Sequence, residues 1–163
     1  MKALVLGYGN VDRQDDGVAW HVLVEVIRQL GFDVPSQPED EMPLESGHFT
    51  FDFHLQLTPE LADSLGQFDK VCFIDAHTGN VSEEIHLESI LPHYQSSPFT
   101  HHMTAPTLMS LCEVINKHYP QSILVSVRGY EFEFTRSLSQ ETAKLVFEAA
   151  TQIVTWLNQP VQA

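Results

Sequence analysis

Basic residues are scarce in this chain: 8 Lys+Arg stand against 22 Asp+Glu over 163 residues, a formal charge of −14. That balance leaves no patch to meet a phosphate backbone, so nucleic acid is excluded as the expected partner. An acidic surface suits a cation or a basic partner, and serves solubility as well. Cysteine is scarce too. Cys72 and Cys112 lack Cys-x-x-Cys spacing and each lies in an apolar run, which reads as two buried, reduced thiols. No apolar run approaches membrane-spanning length, and Met1-Lys2 leads into a short apolar stretch without the h-region of a signal peptide. A cytoplasmic protein with one domain over residues 1–163 is the expectation, and no internal repeat or low-complexity tract divides it.

What is present is organised around residues 3–17. Ala3 to Leu6 is a short apolar strand, Gly7 and Gly9 permit a sharp turn, and Asn10 tolerates unusual backbone angles. A dinucleotide fingerprint would need a third glycine, but Val11 and Asp12 occupy that stretch, and Asp12, Asp15 and Asp16 would repel a pyrophosphate. Asp15 is read as the N-cap of the helix that follows. Asp16 is either a first-turn residue favoured by the helix dipole or part of a site.

The first helix is expected from about Asp16 to Leu30, with apolar residues from Val18 recurring at helical spacing and Gly31 placed to stop it. Pro35 to Gly47 is an acidic, mobile surface excursion with Glu39, Asp40, Glu41 and Glu45. Phe49 to Leu57 alternates as a strand with one wet side, on which His54 is solvated. Thr58-Pro59 opens a short helix, and Val71 to Ile74 is a second buried strand ending in Asp75-Ala-His77. A strand is expected between Val81 and Leu91, then a helix from Ala105 to His118 with Leu108, Leu111, Val114 and Ile115 inward. Ile123 to Val127 is the last buried strand, and Ser139 caps a helix to Asn158 with Val146, Phe147, Ala150, Ile153, Val154 and Leu157 on one face.

Strands alternating with helices predict a three-layer α/β/α sandwich with a mostly parallel, twisted sheet; the strand at 49–57 or the one after Val81 is the candidate antiparallel member. At the carboxyl edge of such a sheet Asp16 and Asp75 converge, with His101 reaching in from a loop. Two carboxylate oxygens and an imidazole nitrogen suit a borderline ion such as Zn²⁺ or Ni²⁺, and a cation gives two neighbouring carboxylates a purpose. The competing reading makes Asp75 a turn residue and His101 and His102 solvated loop side chains. The residues by themselves reach a metal-binding α/β domain and no further.

The run Leu6-Gly-Tyr-Gly-Asn10 with Asp15-Asp-Gly-Val18, the pair Asp75-Ala after an apolar strand, and Thr100-His101-x-Met103 together resemble the [NiFe]-hydrogenase maturation endopeptidases. The order matches from the first strand through the last helix. The resemblance implies a phosphorylase/hydrolase-like α/β/α sandwich and removal of a C-terminal peptide from the hydrogenase large-subunit precursor once nickel is in place. It implies Asp16, Asp75 and His101 as metal-contacting and catalytic residues, with His102 and His77 as secondary candidates. Nickel arrives with the precursor; Zn, Cd or Ca are stand-ins in vitro. Asp16 stands where some relatives carry glutamate. The expected enzyme is monomeric, hydrolyses with activated water and has the precursor as its partner. The alternatives are a non-catalytic nickel-checking chaperone for the same precursor, or a small-molecule hydrolase on the same fold.

Overall fold

The computed structural model describes residues 1–39, 42–93 and 103–162. Six strands form one sheet: β1 (Ala3–Tyr8), β2 (Leu44–Ser46), β3 (Phe49–His54), β4 (Lys70–His77), β5 (Ile85–Ile90) and β6 (Gln121–Arg128). Their order is β2-β3-β1-β4-β6-β5. β3, β1, β4 and β6 run parallel, while β2 and β5 close the two edges antiparallel. Of the two strands offered as antiparallel, the one after Val81 is antiparallel to β6. The strand at 49–54 lies parallel to β1 and meets only the short β2 in antiparallel register.

The central strands have two buried faces, which is why they read as continuous apolar runs. Ala3, Val5, Cys72, Ile74, Ile123, Val125 and Val127 pack against α1 (Val18–Gln29) and α5 (Val146–Leu157). Leu4, Leu6, Val71 and Phe73 pack on the other side against α2 (Leu61–Leu65) and α3 (Ala105–Asn116). The three-layer expectation therefore holds.

Four local expectations change. The alternation from Phe49 breaks at His54: Leu55 is exposed, and Leu57 is buried with the α2–α3 cluster, opposite Phe49 and Phe51. Within 35–47, Leu44–Ser46 pairs with β3 as an edge strand; Asp40 and Glu41 lie outside the described residues. On α3 the buried stripe is Leu108, Met109 and Cys112, leaving Val114 and Ile115 half exposed. Ser139 does cap a helix, accepting from Thr142 N, but α4 (Gln140–Ala143) ends before α5 begins, and Phe147 faces outward.

A buried lysine anchors the last helix. Lys70, fully buried at the start of β4, donates to the carbonyls of Trp156 and Gln159, and its ammonium stands 4.2 Å from the Trp156 ring centroid. Those carbonyls belong to the negative end of α5, where a cation is favoured.

Candidate active site

The loop leaving β1 is built around one glycine. Gly9 has φ +146°, and a Cβ there would lie 2.2 Å from the carbonyl oxygen of Asp16. Only glycine lets the turn close this tightly. Asn10 then donates its N–H to Asp16 Oδ2 at 2.9 Å, and its own side chain accepts from Asp12 N at 3.0 Å. Asp16 is thereby fixed in a turn of 3-10 helix (Gln14–Gly17) that precedes α1.

Asp15 does not cap α1, whose N-terminus has no side-chain cap. It is fully buried and turns across the molecule, accepting from the N–H groups of Tyr130, Glu131 and Ser139 and from the hydroxyls of Ser139 and Thr142. Burial opposes its charge. The hydrogen bonds from Ser139, Glu131 and Tyr130 outweigh that and hold the carboxyl below its ordinary value. Nothing in the local sequence marks these donors, which lie more than a hundred residues away.

Asp75 follows the continuous buried run 70–74 of β4. Its Oδ1 accepts from Ala76 N at 2.7 Å, and the Tyr8 hydroxyl donates to it from the end of the neighbouring strand. Burial first, and then the charge of Asp16, push the Asp75 carboxyl up to about 7 despite those two donors. Burial, reinforced by Asp75, holds the Tyr8 phenol well above its usual value, so Tyr8 remains a donor across the physiological range.

Asp16 and Asp75 line the same cavity, of about 960 Å³, at the carboxyl edge of the sheet. Tyr8 and Gly9 join them. Leu57, Thr58 and Pro59 line it from the stretch after β3, and Met103 to Thr107 line it from the start of α3. Among the described residues its lining includes no Lys or Arg. Two further chemical groups also line the cavity: Glu88 of β5, which sequence reasoning missed, and His93, which the sequence alone gives as a structural or exposed residue. Strand register could have found Glu88, since it pairs with Leu124 of β6, itself a lining residue.

The histidines divide. His101 and His102 lie outside the described residues, but His93 and Met103, which flank segment 94–102, both line the cavity. His77 is buried and committed elsewhere: Nδ1 accepts from Gly79 N at 3.1 Å, and Nε2 faces the carbonyl of Glu84 at 3.3 Å. Both ring nitrogens hold the turn after β4, and His77 is not among the lining residues. His54 is paired with Asp52 at 2.8 Å, and that hydrogen bond raises its pKa. Among the described residues no three His, Cys, Asp or Glu side chains form a metal cluster.

No protein-family model matches the chain, and no curated protein matches it significantly. Solved structures do. The hydrogenase maturating endopeptidase HybD of Escherichia coli superposes with TM-score 0.70 at 17% identity, over 96% of this chain and 92% of that one. The fold is that of the [NiFe]-hydrogenase maturation proteases. The [NiFe] hydrogenase maturation protease HycI of Thermococcus kodakarensis KOD1 gives 0.66 at 15% identity, over 97% and 93% of the two chains. A hydrogenase 2 maturation peptidase from a Thaumarchaeota archaeon gives 0.61 at 15%, over 97% and 99%. At these identities the likeness concerns the hydrogenase-protease fold, and the site must be argued from its own residues.

Proposed function

We propose that this chain is an endopeptidase that removes a C-terminal peptide from a [NiFe]-hydrogenase large-subunit precursor after nickel insertion. The observation that carries the reading is the convergence of Asp16 and Asp75, from two separate strand ends, on one cavity with no lining Lys or Arg among the described residues. Its fold, shared with maturation proteases, supports the same activity.

Nickel is part of the substrate. Asp16 and Asp75 offer it carboxylate oxygens, and His101, in the segment between the cavity-lining His93 and Met103, supplies the imidazole. Asp75, whose proton affinity is raised by burial and by the charge of Asp16, is relieved by a cation, so an unfilled precursor binds less well than a filled one. The grip thus reports that insertion is complete and fixes the scissile bond nearby. A held ion also polarises a carbonyl or a water. Cys72 and Cys112 are buried in the two core clusters, away from the cavity lining, and water is the nucleophile in this reading. The work takes place in the cytoplasm, on the precursor as partner.

The test is cleavage of the nickel-loaded precursor against the nickel-free one. Wild type shortens only the loaded form, while Asp16→Asn and His101→Ala leave it intact with the fold preserved. Cleavage by either variant would overturn the assignment, and tight binding by wild type without cleavage would identify a nickel-checking chaperone instead.

A further inference from the structure

The loop between β6 and α4 is held firmly yet ends in an unprotected aromatic ring. Phe134 is 90% exposed, the most exposed of the large hydrophobic side chains among the described residues. Loops with exposed apolar tips usually move, but this one is fastened along its length. Tyr130 and Glu131 give their N–H groups to buried Asp15, Asp15 N donates to Glu131 O, Gln14 N donates to Thr135 O, and Glu133 N donates to the Gln14 side chain. Arg136 ties the far end to Asp12 and Glu39, and the Tyr130 hydroxyl reaches Glu84.

An aromatic side chain carried on a backbone fixed in advance costs little backbone ordering on binding, which suits an interface anchor. Glu131 and Glu133 flank it, both exposed and in no ion pair among the described residues. The fastening points, Asp12 to Asp15, belong to the same turn that carries Asp16. None of the loop's residues lines the cavity itself, so it would be met by a part of the substrate outside the cavity.

We propose that the Tyr130–Arg136 loop is the docking surface for the folded body of the precursor, with Phe134 entering an apolar socket ringed by basic side chains. The net charge of −14 steers a basic surface toward it, and Glu131 and Glu133 set the register. The inference rests on the endopeptidase reading and adds where, outside the cavity, the substrate is recognised.

The experiment is steady-state processing of the source organism's nickel-loaded large-subunit precursor, purified from a strain lacking this protein. Phe134→Ala raises KM about 30-fold, the size of a 2 kcal/mol anchor truncation, with kcat at saturation unchanged. Phe134→Trp stays within about threefold of wild type. The charge reversal Glu131→Lys/Glu133→Lys raises KM about tenfold at low salt and weakens its salt dependence. Circular dichroism and thermal midpoints check that each variant is folded. Unchanged KM in Phe134→Ala and the charge-reversed variant, with wild type active, overturns the docking surface and leaves the endopeptidase reading standing. A wild type that leaves the precursor whole removes the endopeptidase reading, and the docking inference falls with it. Sedimentation showing that Phe134→Ala dissolves a self-dimer assigns the surface to a second copy of this chain and also overturns the proposal.

Discussion

Asp15 and Asp16 are consecutive in the chain and face different neighbours. Asp15 is buried beneath the loop after β6, taking three backbone N–H groups and two hydroxyls, while Asp16 stands on the cavity wall with one oxygen held by Asn10 N. The first aspartate ties the scaffold together and the second lines the cavity. Substituting them should therefore separate stability from function.

Asp15→Ala strands several buried donors at once and is expected to lower unfolding free energy by about 3–5 kcal/mol. The folded-state pKa of Asp15 lies below its ordinary value of 3.8. Its contribution is thus fully present above that value and is lost as pH falls through the lower folded value. Urea denaturation between pH 2 and 7 reads both effects: the wild-type curve falls more steeply than the variant's below about pH 4. Parallel curves would remove Asp15 from this role.

Asp75 has the opposite sign. Its folded pKa of about 7 exceeds the ordinary 3.8, so the native state holds more protons through that interval and the stability contribution declines as pH rises from about 4 to 7. Asp75→Asn keeps an acceptor for Ala76 N and the Tyr8 hydroxyl without the buried charge. It should stabilise the metal-free protein by about 2 kcal/mol at pH 8 and change little at pH 4. The same variant should abolish Cd²⁺ or Ni²⁺ binding in calorimetry, whereas wild-type affinity climbs from pH 6 to 8 as the ligand ionises. A variant no more stable than wild type at pH 8 would contradict the raised pKa.

Gly9 joins backbone to site. Alanine there meets the Asp16 carbonyl oxygen at 2.2 Å, so the turn must open and Asp16 must move. Gly9→Ala is expected to cost about 2–4 kcal/mol and to weaken Cd²⁺ binding with it. Calorimetry on the folded fraction checks this, and wild-type affinity in Gly9→Ala would break the link between turn and carboxylate.

Much of this was legible because the fold writes itself in short signals. Ala3–Leu6 and Val71–Ile74 are buried on both faces and read directly as central strands, and the place of Asp16 and Asp75 on one cavity follows from the rule that pockets form at the ends of such strands. Features made by distant partners were not legible. Asp15 looked like a local cap because Tyr130, Ser139 and Thr142 are adjacent to it only in three dimensions. Val114, Ile115 and Phe147 fit helical periodicity but fall just outside the stripes that α3 and α5 bury, a matter of angle that apolar spacing does not fix. His77 had the composition of a ligand, and only the turn closed by Gly79 and Glu84 accounts for its two nitrogens.

Tyr8 offers the sharpest test of how the site is tuned. Its hydroxyl donates to Asp75 and lowers that carboxyl's pKa, partly offsetting burial and the nearby Asp16. Tyr8→Phe preserves the ring against Leu4, Leu6 and their α2–α3 neighbours while removing one donor. Asp75 then holds its proton more tightly, so a cation must displace it at greater cost. Cd²⁺ affinity at pH 7 is expected to fall about tenfold, and the pH at which binding reaches half its plateau should move upward. At pH 9, where both proteins are ionised, the remaining difference measures how well the hydroxyl aims the carboxylate. A loss of affinity equal at pH 7 and pH 9 would assign Tyr8 to orientation alone, and an unchanged affinity at both would sever it from the site.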